Sequence, residues 1–177
     1  MRIRSHGWAL ACILAASTAQ AQSSAPGVTD FSGANAGNIQ VNDITEALAV
    51  PRGTRIEASA PPTIRLPIFF EFNSAQLRPE ANQLLDKVSA ALASGELETF
   101  RFSIEGHTDD VGSPEYNENL STDRAAAVEN YLLAKGVPRN RLGVIGHGES
   151  APVAPNDTEA GRQRNRRVEI INLGAPQ

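Results

Sequence analysis

Phe100, Phe102 and Ile104 alternate with Arg101, Ser103 and Glu105, and the run ends directly on Gly106. A period of two marks a strand with one buried face, and glycine at its end lets the backbone turn at once. The stretch Glu105–Arg124 (EGHTDDVGSPEYNENLSTDR) then packs two glycines, a histidine and the pair Asp109-Asp110 ahead of a helical stripe of Ala125, Val128 and Leu132. A strand, a polar loop and an amphipathic helix in this order restrict the chain to an α/β arrangement. Loops at strand ends are also where such domains place ligand contacts.

The same alternation appears earlier, where Ile64, Leu66, Ile68, Phe70 and Phe72 interleave with Arg65, Pro67, Phe69 and Glu71. It predicts a strand from Thr63, with Pro67 suited to an edge or an early position because it lacks an N–H. Pro79 fits a first helical position, and Ala81, Leu84, Leu85, Val88, Ala91 and Leu92 follow at helical spacing until Gly95. Ser121 reads as the cap of a second helix, which Gly136 and Pro138 close. Leu142–Ile145 predicts a third strand. A polar loop over 146–158 and a short turn or helix near Glu159–Arg164 come next, and Arg166–Leu173 is the last strand. The expected fold is an α/β (α+β) sandwich: a small mixed four-stranded sheet, helices on one face, order β-α-β-α-β-β.

Outside this unit the chain reads differently. Arg2 and Arg4, an apolar run from Trp8 to Ala16 and the small-x-small triplet Ala19-Gln20-Ala21 predict a signal peptide over 1–21. The run is shorter than the ~20 residues of a spanning helix, so the mature chain is expected to carry no transmembrane segment. The single cysteine, Cys12, lies in the leader; lipidation there is the alternative, although the apolar run continues past it. A mature chain cut after Ala21 has no thiol for disulfides, catalysis or metal binding. The 16 basic and 20 acidic residues give a net charge of −4, and the leader removes two arginines and no acid. Such an acidic chain with few aromatics is unsuited to nucleic acid or to anionic lipid. Residues 22–62 are poor in large apolar side chains and predict a flexible arm or linker, with a short helix over Val41–Val50 that either docks or forms transiently. The domain is expected over 63–173, with 174–177 as a tail.

Arg124 is the oddest residue. With Ser121 as cap it falls in the first turn of a helix, where a cation meets the positive end of the macrodipole. Either it pairs locally, or it joins the helix terminus in an anion site suited to carboxylate or phosphate. Asp109 and Asp110 sit in a glycine-bracketed loop, one of them plausible as a turn former. An aspartate and Arg124 facing one cleft would receive a zwitterion such as an amino acid. His107-x-Asp109 and His147-x-Glu149 could converge on a divalent ion, but neither spacing is a recurrent zinc signature. No nucleophile elbow is present, and no cofactor motif stands out. Arg162, Arg164, Arg166 and Arg167 could form a polyanion patch or pair with the chain's own acids around the sheet.

Gly106-His107-Thr108-Asp109, Gly112, Asn117, Leu120-Ser121, Arg124-Ala125, Gly146, Gly148-Glu149 and Asn165-Arg166-Arg167-Val168, with Ile68–Leu77 before them, resemble the OmpA-like C-terminal domain. That family is the non-covalent peptidoglycan-binding module of Gram-negative envelopes. The resemblance covers about Thr63 to Leu173. It implies that Asp109 takes the ammonium and Arg124 a carboxylate of stem-peptide diaminopimelate. It further implies that Thr108, Asn117 and Leu120 line or shape the pocket. Asn73 matches a ligand-contacting position that is aspartate in many members, so here it keeps an acceptor but no charge. The arginines of Asn165–Arg167 are expected at the rim or in structural roles. The resemblance implies a wall-tethering module of the periplasm, associated with the outer membrane, that is not an enzyme and needs no cofactor. An outer-membrane or envelope protein is the expected protein partner. The rival readings are a metal-dependent hydrolase using His107, Asp109, His147 and Glu149, and an envelope scaffold acting through its N-terminal arm.

Overall fold

A computed structural model describes residues 22–25, 27–33, 37–50 and 60–176. The expected signal peptide over 1–21, with Cys12 in it, lies outside the described residues. In chain order the elements are β1 (Gln22–Ala25), β2 (Val28–Asp30), α1 (Val41–Leu48), β3 (Thr63–Leu66), α2 (Pro79–Leu92), β4 (Arg101–Gly106), α3 (Pro114–Ala134), a 3-10 turn (Arg139–Arg141), β5 (Leu142–Gly146), α4 (Glu159–Asn165) and β6 (Val168–Gly174). The sheet runs β1-β2-β3-β6-β4-β5. The four expected strands are β3, β4, β5 and β6. They form a mixed sheet in which β6 is antiparallel to both β3 and β4, and β4 is parallel to β5.

Alternation decides which face of each strand is buried. Phe102 and Ile104 of β4 and Val168 and Ile170 of β6 are fully buried, together with Leu84, Leu85, Val88 of α2 and Ala125, Val128, Leu132 of α3. Gly106 continues this face, and it is where strand and helix come closest. A Cβ there would lie 2.1 Å from the Ser121 carbonyl oxygen, so only glycine fits. The helix α3 ends as the sequence predicts. Gly136 takes φ +93, and the Gly136 and Val137 amides donate to the carbonyls of Leu133 and Leu132.

Three boundaries differ from expectation. First, β3 stops at Leu66 rather than running to Phe72. Pro67 cannot donate to a ladder, and beyond it only an isolated bridge, Phe70 to Leu77, survives. Phe72 is 91% exposed instead of alternating into the core. Second, α3 starts at Pro114, not at Ser121. Ser113 is its N-cap, with Oγ accepting from the Tyr116 amide at 3.2 Å, and Pro114 occupies the first helical position. Ser121 instead turns its hydroxyl to the Glu118 carbonyl and accepts from the Gly148 amide at 2.9 Å.

Third, much of the stretch read as a flexible arm packs on the domain. β2 pairs with β3 in parallel and extends the sheet, and β1 pairs with β2. Ile39, Ile44 and Leu48 are fully buried and Phe31 nearly so. The Asn172 side chain donates to the Leu48 carbonyl at 2.8 Å, and Lys87 Nζ donates to the Ile39 carbonyl at 2.6 Å. Of the two fates open to the short helix, docking is the one observed. The low apolar count misleads because each of these few residues is buried. Among the described residues, no helix is long and apolar enough to cross a membrane.

Candidate functional site

Three segments meet at one end of the sheet: the turn after β3, the loop after β4 and the first turns of α3. With α4 as a fourth wall they enclose a cleft of about 620 Å³, within the ~300–1,000 Å³ of small-ligand sites. All six residues singled out from the sequence, Asn73, Thr108, Asp109, Asn117, Leu120 and Arg124, line it.

Their positions follow from local chemistry. Asn73 adopts φ 48, a left-handed conformation that asparagine tolerates better than most residues. It turns the chain so that the Ser74 carbonyl accepts from Arg124 Nε at 3.1 Å. Asp109 is a turn former as well as a lining residue. Its Oδ1 accepts from the Val111 amide at 3.2 Å, and its Oδ2 accepts from Arg166 Nη1 at 2.5 Å. Asp110 is exposed. Asn117, 1% exposed, donates to the Asp109 carbonyl at 3.3 Å and to Glu149 Oε2 at 2.6 Å. It braces the loop more than it faces solvent. Thr108 is buried with its amide donating to the Gly148 carbonyl at 2.9 Å, and its hydroxyl has no partner among the described residues.

Because α3 begins at Pro114, Arg124 is about three turns inside the helix and the macrodipole reasoning does not apply to it. Its peculiarity is burial. It is 9% exposed, stacks over the Phe70 ring at 5.1 Å, and has no carboxylate within ion-pair range among the described residues. Burial pushes its pKa down most and Arg166 pushes the same way, while Tyr116 and, more weakly, Asp109 oppose them. The local ion pair formed by Asp109 is with Arg166 instead. Burial opposes charge on Arg166, but Glu159 and Asp109 outweigh it and hold its pKa above the ordinary value. A buried guanidinium without a counter-ion is a standing demand for an anion.

Arg166, expected at the rim or in a structural role, lines the cleft and holds Asp109. The other arginines of that run pair with the chain's own acids, as one of the two expectations had it. Arg162 meets Glu159 at 2.8 Å, Arg164 meets Asp30 at 3.6 Å, and Arg167 meets Glu169 at 2.6 Å. The only cue to Arg166 was its place in the run, since a charge pattern does not say which member faces a cleft.

The four groups of the metal reading do not converge. Arg166 holds Asp109, and Asn117 holds Glu149. His107 and His147 stack with centroids 4.9 Å apart and planes 12° apart, and one ligand atom of each lies within 4.8 Å of the other and of a Glu105 carboxylate oxygen, a cluster that shares only its two histidines with the expected four groups. The carboxylate beside them is Glu105, 2.6 Å from His147 Nε2. Burial, then the positive charge of Arg167, lowers the His107 pKa to about 3. The ordinary value is 6.5. Below that value the unfolded chain takes up a proton that the folded chain refuses, so stability falls as pH drops from 6.5 towards 3, by at most ~1.4 kcal/mol per pH unit. Urea unfolding at pH 7 and pH 5, above the carboxylate range, is expected to show this loss. His107→Gln should remove most of it; an unchanged pH dependence would refute the assignment.

A mixed sheet covered on one face by helices, with a carboxylate and a buried guanidinium in one cleft at its end, defines a small α/β binding domain. Residues 69–166 match the model of the OmpA family, and the chain belongs to that family. Outer membrane protein A of Bordetella avium is 45% identical over 107 residues, covering 60% of this chain and 54% of that protein. The chain therefore spans about half the length of that relative. The solved peptidoglycan-associated lipoprotein from Burkholderia pseudomallei is 30% identical with a TM-score of 0.55, over 60% of this chain and 88% of that one. The cell wall anchor of the T6SS from Pseudomonas aeruginosa is 33% identical with a TM-score of 0.53, over 64% of this chain and 80% of that one.

Proposed function

We propose that this protein binds peptidoglycan non-covalently by holding the diaminopimelate of a stem peptide, and so attaches an envelope component to the cell wall. The observation that carries the reading is Arg124, a buried guanidinium without a carboxylate, in the same cleft as Asp109. A guest with an ammonium and a carboxylate on one carbon answers both groups at once. Asp109 takes the ammonium, and the arginine fork takes the carboxylate. Arg166, already on Asp109 Oδ2, orients that carboxylate towards the cleft. Thr108, with a buried hydroxyl that has no partner among the described residues, Asn73 and Leu120 complete the wall. Similarity to the peptidoglycan-associated lipoprotein and to a cell wall anchor supports the same reading.

On this reading the protein works in the periplasm, next to the outer membrane, and is a binding module rather than an enzyme. The protein should pellet with purified sacculi, and free diaminopimelate should release it. Because the contacts are charge-assisted, pelleting should weaken as salt rises. Sedimentation indifferent both to diaminopimelate and to salt would sink the proposal.

A further inference from the structure

Behind the cleft lies a second, smaller pocket of about 190 Å³, several times the ~30 Å³ share of one water. Phe70, Arg124 and Arg166 line both pockets, so the two adjoin. We propose that this rear pocket is a carboxylate subsite. It would take a second carboxylate of the same stem peptide whose diaminopimelate lies at Asp109 and Arg124. The inference rests on the wall-peptide reading and extends it from one residue of the peptide to its neighbour.

Charge makes the case. Arg78, Arg124, Arg166 and Arg167 line the rear pocket, and no acidic residue among the described residues does. Two of these cations are already answered: Arg166 by Asp109 and Glu159, and Arg167 by Glu169. Arg124 has no such partner among the described residues. Among the described residues Arg78 has only Glu80, at 3.4 Å, with both side chains about half exposed, a pair worth little in water. Arg124, shared with the diaminopimelate carboxylate, and the weakly held Arg78 leave the small space positive, so it repels a cation and offers nothing special to a neutral group. An anion suits it.

His107 supplies the independent sign. It lines the rear pocket, is 4% exposed, and neither ring nitrogen has a partner among the described residues. Neutral imidazole carries one N–H donor and one acceptor. A buried donor left unmade costs ~1–3 kcal/mol, unless a guest or a water takes it up. Burial and Arg167 keep the ring neutral, and both nitrogens are closed to solvent, so a carboxylate would reach the N–H only as the pocket walls adjust to it. A stem peptide supplies such a group, since it carries carboxylates besides the one on diaminopimelate.

The test is calorimetric titration of the full chain with two synthetic stem peptides. One is native; in the other every carboxylate except that of diaminopimelate is amidated. Wild type is expected to bind the amidated peptide about tenfold more weakly, the value of one charge-assisted contact. Arg78→Gln, at an exposed position that does not threaten folding, should weaken the native peptide about tenfold and leave the amidated one unchanged. His107→Phe should follow Arg78→Gln, while His107→Gln, which keeps a donor, should retain part of the affinity. If Arg78→Gln binds both peptides like wild type while Asp109→Asn loses both, the subsite is wrong and the wall-peptide reading stands. If Asp109→Asn also binds like wild type, the wall-peptide reading fails and the subsite falls with it.

Discussion

Asp109→Asn is expected to abolish sedimentation with sacculi while leaving the fold intact. Asparagine is nearly isosteric and keeps an oxygen to accept from the Val111 amide, so the turn survives. What disappears is the charge that answers a ligand ammonium and pairs with Arg166, which keeps Glu159. A hydrogen bond to a charged group is worth ~1.5–3 kcal/mol, and more is lost when the surviving partner stays buried and unpaired. The affinity should therefore fall by about one to two orders of magnitude. Arg124→Ala should do the same from the other end. Arg124→Lys should restore only part, because an ammonium keeps the charge but not the two-pronged geometry. Asp110→Asn, at the exposed neighbour, is the control and should pellet like wild type. If Asp109→Asn and Arg124→Ala both pellet like wild type, diaminopimelate recognition in this cleft is refuted. If only Asp110→Asn fails, the two carboxylates have been assigned in the wrong order.

The elements that pack by apolar periodicity were legible in the sequence. The stripe of α2, the glycine closure of α3 and the strands β4, β5 and β6 all stand within about two residues of where pattern and punctuation put them. The start of α3 was not, and the reason is physical. The buried stripe of this helix begins Asn117, Ser121, Arg124 and only then becomes Ala125, Val128, Leu132. Its first half packs against the polar loops of the cleft instead of the core, so hydrophobic periodicity is silent there. The cue that was present, Ser113 followed by Pro114, is a matter of capping and not of pattern. A site thus hid the helix that builds it, which is where local rules are expected to fail. Residue chemistry pointed to Arg124 and to one of Asp109 and Asp110; the family resemblance chose Asp109 and added Asn73, Thr108, Asn117 and Leu120. Residue chemistry alone left Arg124 undecided between a local ion pair and a ligand group.

The N-terminal stretch provides the second large effect, on stability instead of binding. Leu48→Ala should lower the unfolding free energy by ~2–5 kcal/mol, as for other fully buried leucines. That is a large share of the ~5–15 kcal/mol that holds a typical domain together. Leu48 is 0% exposed and belongs to the same buried cluster as α2 and β3, and its carbonyl holds the buried side chain of Asn172 in β6. Ile44, one turn earlier on the same face, should behave alike. Around them the backbone is tied as well: the Thr63 amide donates to the Gly27 carbonyl at 2.8 Å and the Phe31 amide to the Arg65 carbonyl at 3.0 Å. If these contacts belong to one cooperative unit, urea melts of Leu48→Ala should show a single transition at a lower midpoint with an unchanged slope. A tether that merely rests on the domain predicts something else, a change within ~0.5 kcal/mol, as for ordinary surface substitutions. Sacculus binding separates the two roles of the chain. α1 contributes nothing to the cleft lining, so Leu48→Ala should bind like wild type wherever it remains folded. A loss of binding by the folded variant would mean that the arm helps shape the site, and not only the core behind it.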